Sequence, residues 1–429
     1  MMQPMKKVLC LLLVAFAANT QAQDIGYARR IIDTLASPAM EGRGYVNGGD
    51  RKAAAYIRNE FQKDGLKPFG TEYDQKYHIS VNTLPGKADI SMGGKLLQPG
   101  ADFLVVASSP SIKGIFPIEK LNRKTLHSPS RLRRFNHRDY SRKVILVDTQ
   151  GINDKQQLIM LDSLRNYNFL HAKALVYVSD SKLSWSGMAA GQQLSYTTVE
   201  ITRKAYHQKA KSMGFDIESR FEKAYSTQNL VGFVQGSIQP DSFLVFTAHY
   251  DHLGHMGSKM YFPGANDNAS GTAMLLDLAR YYAQTENKPR CSMVFVSVSG
   301  EEIGMQGSSY LAAHPLFPLR AVRFLVNLDM VGTGSEGITM VNGSVFPKAY
   351  NLMVKINTDK KYIPAVKRRG VSCNSDQCPF YQNGVPAVFL YTMGKEFTEY
   401  HNLNDQAANL PLTEYKNIFR LVRDFMDAW

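Results

Sequence analysis

An α/β fold with a mostly parallel central sheet flanked by helices, and a smaller α/β unit inserted into it, is what this sequence predicts. Three observations carry that expectation. Apolar runs at 243–246, 293–298, 324–328 and 387–391 lack alternation with polar residues, as strands buried on both faces do. Helical apolar spacing falls between them, as in Leu275, Leu278, Ala279 and Tyr282, and another helix is expected after Glu302. From about 74 to 225 the texture changes to short β-like runs separated by Gly, Pro and Ser, which marks a unit of its own.

Residues 1–22 are expected to be a secretory signal peptide. Lys6 and Lys7 precede an apolar stretch over 8–18, and Thr20-Gln21-Ala22 forms a small-residue cleavage site ahead of Gln23. The stretch is too short for a permanent bilayer anchor, and Cys10 lies inside it rather than at its end. No other stretch approaches the roughly 18 uninterrupted apolar residues of a membrane helix. An exported protein, periplasmic or extracellular and without stable membrane insertion, is the expectation. Such a compartment permits oxidation, so Cys373 and Cys378, with four residues between them, are expected to pair, while Cys291 at the start of a buried strand stays free.

Residues 23–78 read as two helices: Ala28, Ile31, Ile32 and Leu35 share one face, Ala54, Ile57 and Phe61 another, and Gly65 and Pro68 stop the second. Within the insert, 79–225, strand spacing at 144–147 and 174–178 brackets a helix expected over 161–173. Strands and helices then alternate through 226–429. With 429 residues, 44% hydrophobic and 20% charged, the chain has ample material for a large core or two moderate ones. The net charge of +13 raises the possibility of an anionic partner. Its densest basic run, 131–143, comes without a nucleic-acid module, so it reads as a solvated loop and no nucleic acid is expected as partner.

Ionisable residues gather where the apolar strands end. His249-Tyr250-Asp251-His252 follows the first, Gly264 to Gly271 comes next, Gly300-Glu301-Glu302 follows the second, Asn327-Leu328-Asp329 ends the third, and Tyr400-His401-Asn402 lies in a late loop. The crevice beyond the carboxyl ends of parallel strands is where such sheets bind ligands. A dinuclear metal centre gives all these groups one purpose, since two ions each need about four ligands and one carboxylate to bridge them. His249 and Asp329 are assigned to one ion, Glu302 and His401 to the other, and Asp267 to the bridge. Asp251 is placed to orient the His249 ring through its second nitrogen. Glu301, beside a ligand, becomes the general base for the water that the ions activate. Asn268 and Ser270 read as helix caps, and His252 and His255 as loop residues rather than ligands.

His249-Tyr250-Asp251, Gly264 to Gly271, Gly300-Glu301-Glu302 with Gly307-Ser308, Asn327-Leu328-Asp329, Ser375-Asp376 and Tyr400-His401 together resemble, in order, the motifs of zinc aminopeptidases of the M28 type. The likeness spans about 226–429, and Glu41-Gly42-Arg43 with Gly65-Leu66 is similar to the N-terminal helices of secreted members. It implies a zinc-exopeptidase-like fold, two Zn²⁺ ions and peptide substrates with a free N-terminus, and the middle segment resembles a protease-associated domain. Gln377 stands where that family often has histidine, which leaves the metal site intact but makes the substrate pocket there less predictable. The resemblance also leaves open a glutaminyl cyclase-like enzyme working with one zinc, a carboxypeptidase of the same superfamily, and a receptor-like binding module. Retention of every ligand and of Glu301 speaks against the last, and the 268–271 segment favours the peptidase over the cyclase.

Overall fold

The computed structural model describes residues 24–429. The expected signal peptide lies outside them. No described helix is long and apolar enough to cross a membrane. Two eight-stranded sheets organise the described residues.

The larger sheet has at its centre the strand Gln239–His249, hydrogen-bonded in parallel to Cys291–Val298 on one side and Val322–Leu328 on the other. Ala387–Met393 extends the parallel run beyond Val322–Leu328. Antiparallel pairs finish both flanks, with Gly337–Val341 beside Ala387–Met393 and Arg220–Val234 beside Cys291–Val298. The mostly parallel α/β class expected from the apolar runs is the observed one.

Period two does operate in these strands, with both faces buried. Leu244, Phe246 and Ala248 pack with the helices Ile25–Leu35, Gly49–Lys63, Gly271–Ala283 and Tyr415–Ala428, whereas Phe243 and Val245 face Leu311, Ala312 and Phe380 on the opposite side. Helices on both faces leave no polar alternation to be read. Each helix earns its place by the same spacing: Tyr27, Ala28, Ile31, Ile32 and Leu35 bury one face of the first, and Asp24 caps it by accepting from Gly26 N at 2.9 Å.

The second sheet belongs to the inserted unit. Its parallel centre comprises Ile112–Asn122, Val144–Asp148, Ala174–Ser179 and Thr197–Thr202. Val144, Leu146 and Val176 fill one core, and Ile145, Val147 and Leu175 fill another under the helix Lys155–Tyr167. That helix begins before the expected 161–173 and ends earlier. Asp154 caps it through Gln157 N at 2.8 Å, and Asn168, at φ 43°, stops it. The basic run is also more ordered than the expected loop: Pro129–Asn136 is helical, anchored by buried Phe135, while Arg131, Arg133, Arg134, Arg138 and Arg142 remain exposed.

Passage between the units is a continuous antiparallel ribbon of Asp74–Thr83 with Arg220–Val234. The boundaries expected at 78/79 and 225/226 fall inside those two strands. Core packing runs across as well, because Leu253, Met256, Phe262 and Ile303, from loops beyond the central strands, pack in the same cluster as Val144 and Trp185.

Candidate metal centre

Strand register brings the ionisable groups together. His249 ends its strand level with Val298, and Thr247 of the same strand lies level with Asn327. Three parallel strands therefore stop along one edge, and Glu301, Glu302 and Asp329 leave it within a few residues of His249. Asp267 arrives on a buried turn entered through Gly264 at φ 60°. A Cβ at Gly264 would lie 2.4 Å from His252 Cδ2, so the turn admits only glycine. The peptide from Asp267 to Asn268 is cis. His401 comes from the late loop at φ 52°.

The two oxygens of Asp267 face different histidines. Oδ1 lies 3.3 Å from His249 Nε2, and Oδ2 lies 2.8 Å from His401 Nε2. Asp329 Oδ1 stands 3.4 Å from His249 Nε2, and Glu302 lies 3.2 Å from His401 Nε2 through Oε2. His249, Asp267 and Asp329 thus form one group and Asp267, Glu302 and His401 a second, sharing Asp267. Every one of these side chains is buried. Asp329 Oδ1 has no hydrogen-bond partner despite its burial, which is the state of an oxygen shaped to hold a cation. Imidazole nitrogens and carboxylate oxygens at this spacing fit zinc.

The electrostatics describe a site built for positive charge. Burial opposes charge on His401, but Glu302 and hydrogen bonds to Asp267 and Glu302 outweigh it and push its pKa up to about 11. His249 is likewise raised, against burial, by Asp329 and Asp267. Glu302 is held at about 2 despite burial, because His401 and His252 stand beside it. Glu301 goes the other way: burial, joined by Asp376, Glu302 and Asp329, raises its carboxyl well above the ordinary range.

The surroundings of Asp251 differ from the expectation. His249 Nδ1 meets the Asp251 main-chain oxygen at 3.2 Å, while the carboxylate lies 3.8 Å away. That carboxylate instead accepts from Tyr45 Oη at 2.9 Å and from the Glu301 main-chain N–H at 3.2 Å. Asp251 therefore holds both the histidine and the segment that presents Glu301. His252, expected to be a loop residue, is part of the cluster: its Nδ1 lies 2.6 Å from Glu302 Oε1 and fixes the oxygen that faces away from His401. His255 stands apart, 2.7 Å from Glu41. Asn268 accepts from Gly271 N at 2.9 Å as a cap would, but Ser270 caps nothing; it donates to Asn266 O at 2.7 Å and accepts from Val331 N at 3.0 Å.

Three supports have no role assigned by the sequence reading. Ser375 donates to Asp329 Oδ2 at 2.7 Å and is itself held by Asn327 Nδ2 at 2.8 Å. Asp405 accepts from Asn266 N at 2.7 Å and Asp267 N at 3.1 Å. Arg43, fully buried, donates Nε to Tyr250 O at 2.8 Å, Nη1 to Leu35 O at 2.7 Å and Pro263 O at 2.8 Å, and Nη2 to Gly264 O at 2.6 Å and Asp267 O at 3.3 Å. A lone arginine between Gly42 and Gly44 was the available signal for that clamp. A lone aspartate such as Asp405 offers none.

Cys373 and Cys378 are joined, and Cys291 is free and buried. The bond closes a loop containing Ser375 and Asp376, and Gln377 Nε2 ties the same loop to Ser372 O at 2.7 Å rather than entering the cluster. A loop with a sequence separation of 5 residues removes little chain entropy. Replacing both cysteines by serine is therefore expected to lower stability by only about 2 kcal/mol. Urea unfolding of the double variant measures this, and a loss above about 4 kcal/mol would show that the loop bears far more of the fold than its closure entropy.

Histidines and carboxylates paired in this way beyond the ends of parallel strands define a candidate dinuclear metal centre. Residues 229–426 match the model of Peptidase family M28. A probable zinc metalloprotease of Leptosphaeria maculans is 38% identical over 125 residues, 28% of this chain and 28% of that protein. Aminopeptidase YwaD of Bacillus subtilis is 25% identical over 310 residues, 69% of this chain and 63% of that protein. The chain spans less than a third of the length of the fungal relatives matched first. Among solved structures, BSAP, a zinc aminopeptidase from Bacillus subtilis, shares the fold with a TM-score of 0.72 at 19% identity, covering 94% of this chain and 95% of that one.

Proposed function

We propose that this protein is an exported zinc aminopeptidase that hydrolyses the first peptide bond of peptides with a free N-terminus, using two ions and Glu301 as general base. The observation that carries the reading is the division of Asp267 between His249 and His401, which gives two adjoining donor groups with a shared carboxylate. Bound there, two divalent ions polarise a carbonyl and lower the pKa of water. Glu301 takes the proton from the attacking water at its carboxylate and returns it to the leaving amine. Asp251 positions Glu301 by accepting its main-chain N–H. Similarity to aminopeptidase YwaD over most of the chain supports the choice of substrate end. The signal-like segment at 1–22 supports export, and the insert's likeness to a protease-associated domain supports a part in substrate access.

A matched assay of amino-acid arylamides, N-blocked peptides, C-terminally probed peptides and N-terminal glutamine peptides tests the reading. Release of the first residue only when its amine is free is the expected result. Cleavage from the C-terminus, or cyclisation of glutamine without hydrolysis, would assign the site to another branch. Prolonged chelation should abolish hydrolysis and zinc should restore it; hydrolysis that survives complete metal removal would reject metal chemistry altogether.

A further inference from the structure

The segment 180–193 of the inserted unit lies against the half of the centre formed by Glu302 and His401. Leu183, Trp185 and Gly187 point inward while Ser184, Ser186 and Met188 are exposed, so the segment is seated by alternate residues. Trp185 stacks on Phe262 with ring centroids 4.9 Å apart and donates Nε1 to Val105 O at 2.6 Å. From that seat its main-chain N–H donates to His401 O at 2.8 Å. Two residues on, Gly187 approaches Glu302 so closely that a Cβ would lie 2.7 Å from the Glu302 carbonyl oxygen and 3.4 Å from its Cβ. Lys182 pairs with Glu399, and Ser184 Oγ donates to Tyr400 O at 3.4 Å, which fixes the approach to His401 as well. His401 sits at φ 52°, a backbone conformation that persists only where its surroundings hold it. By contrast, His249 and Asp329 are held by the central strands and Ser375.

We propose that this segment is a structural part of the Glu302–His401 half of the centre: Trp185 and Gly187 are positioning residues that set the affinity for the ion held there. The insert then acts on the chemistry through two main-chain contacts, and the two ions differ in their dependence on it. The inference rests on the dinuclear reading above.

Gly187→Ala is the discriminating variant. Gly187 has φ −76° and ψ −18°, which alanine adopts freely, so the added methyl acts through its push on Glu302 rather than through backbone strain. Gly191→Ala is the control, because a Cβ there meets nothing within 4 Å. Demetallated full-length protein is titrated with chelator-buffered zinc, and thermal melting of the same samples is followed. In G187A one ion is expected to bind as in the parent and the other about 10–100-fold more weakly, with excess zinc restoring hydrolysis and G191A behaving as the parent. Parent-like binding of both ions in G187A, or equal weakening of both, would overturn the proposal while leaving the dinuclear reading standing. A parent protein that binds one ion rejects that reading and this inference together.

Discussion

Glu301→Gln should lower the hydrolytic rate by about 10²- to 10⁴-fold while metal content stays at the parent level. The upper end is expected because in the proposed reaction one carboxyl serves both proton transfers. Glutamine keeps the shape and the main-chain N–H that Asp251 accepts, but it has no site for the proton. The environment suits the role: burial and the neighbouring carboxylates Asp376, Glu302 and Asp329 raise the proton affinity of Glu301. Glu302→Gln should instead weaken metal binding, since a neutral amide replaces an anionic donor beside His401. Steady-state rates with metal analysis on both variants separate the roles. High activity with metal loss in the Glu301 variant would mean that the two are exchanged.

Arg43→Met should cost about 3–5 kcal/mol of stability, a loss at the extreme of single substitutions. The guanidinium gives every N–H to a main-chain carbonyl, three of them on the turn carrying Asp267. Burial lowers its pKa to about 10, with the charges of Asp405, Asp267, Asp251 and Glu302 working against that fall, so it stays charged at neutral pH. Methionine fills the volume but strands five buried carbonyls and removes the cation facing those carboxylates. Lysine does not substitute, because one ammonium cannot reach both sides of the fork. Denaturant unfolding checks this, and a variant within about 1 kcal/mol of the parent would contradict the clamp.

The main strands were legible because doubly buried strands leave continuous apolar runs, and the site was legible because its donors follow those runs. Long-range partners were not. Nothing near Asp251 in sequence announces that Tyr45 takes its carboxylate, leaving only its carbonyl for His249. His252 looked like any loop histidine until the fold brought Glu302 against it. The helix Lys155–Tyr167 starts earlier than its apolar spacing indicates, because its buried residues, Leu161 and Leu164, lie from its middle onward, and the capping Asp154 carries the true start. The ribbon joining the units leaves no clear mark in the sequence, since Arg220–Val234 passes from exposed through fully buried to half-buried surroundings along its length, and no single pattern describes it.

Anomalous scattering from crystals of the zinc-loaded protein tests the central claim most directly. Two peaks about 3.5–4 Å apart are expected, one among His249, Asp267 and Asp329 and the other among Asp267, Glu302 and His401. A single peak, or a second ion held away from Asp267, would contradict the shared-carboxylate centre.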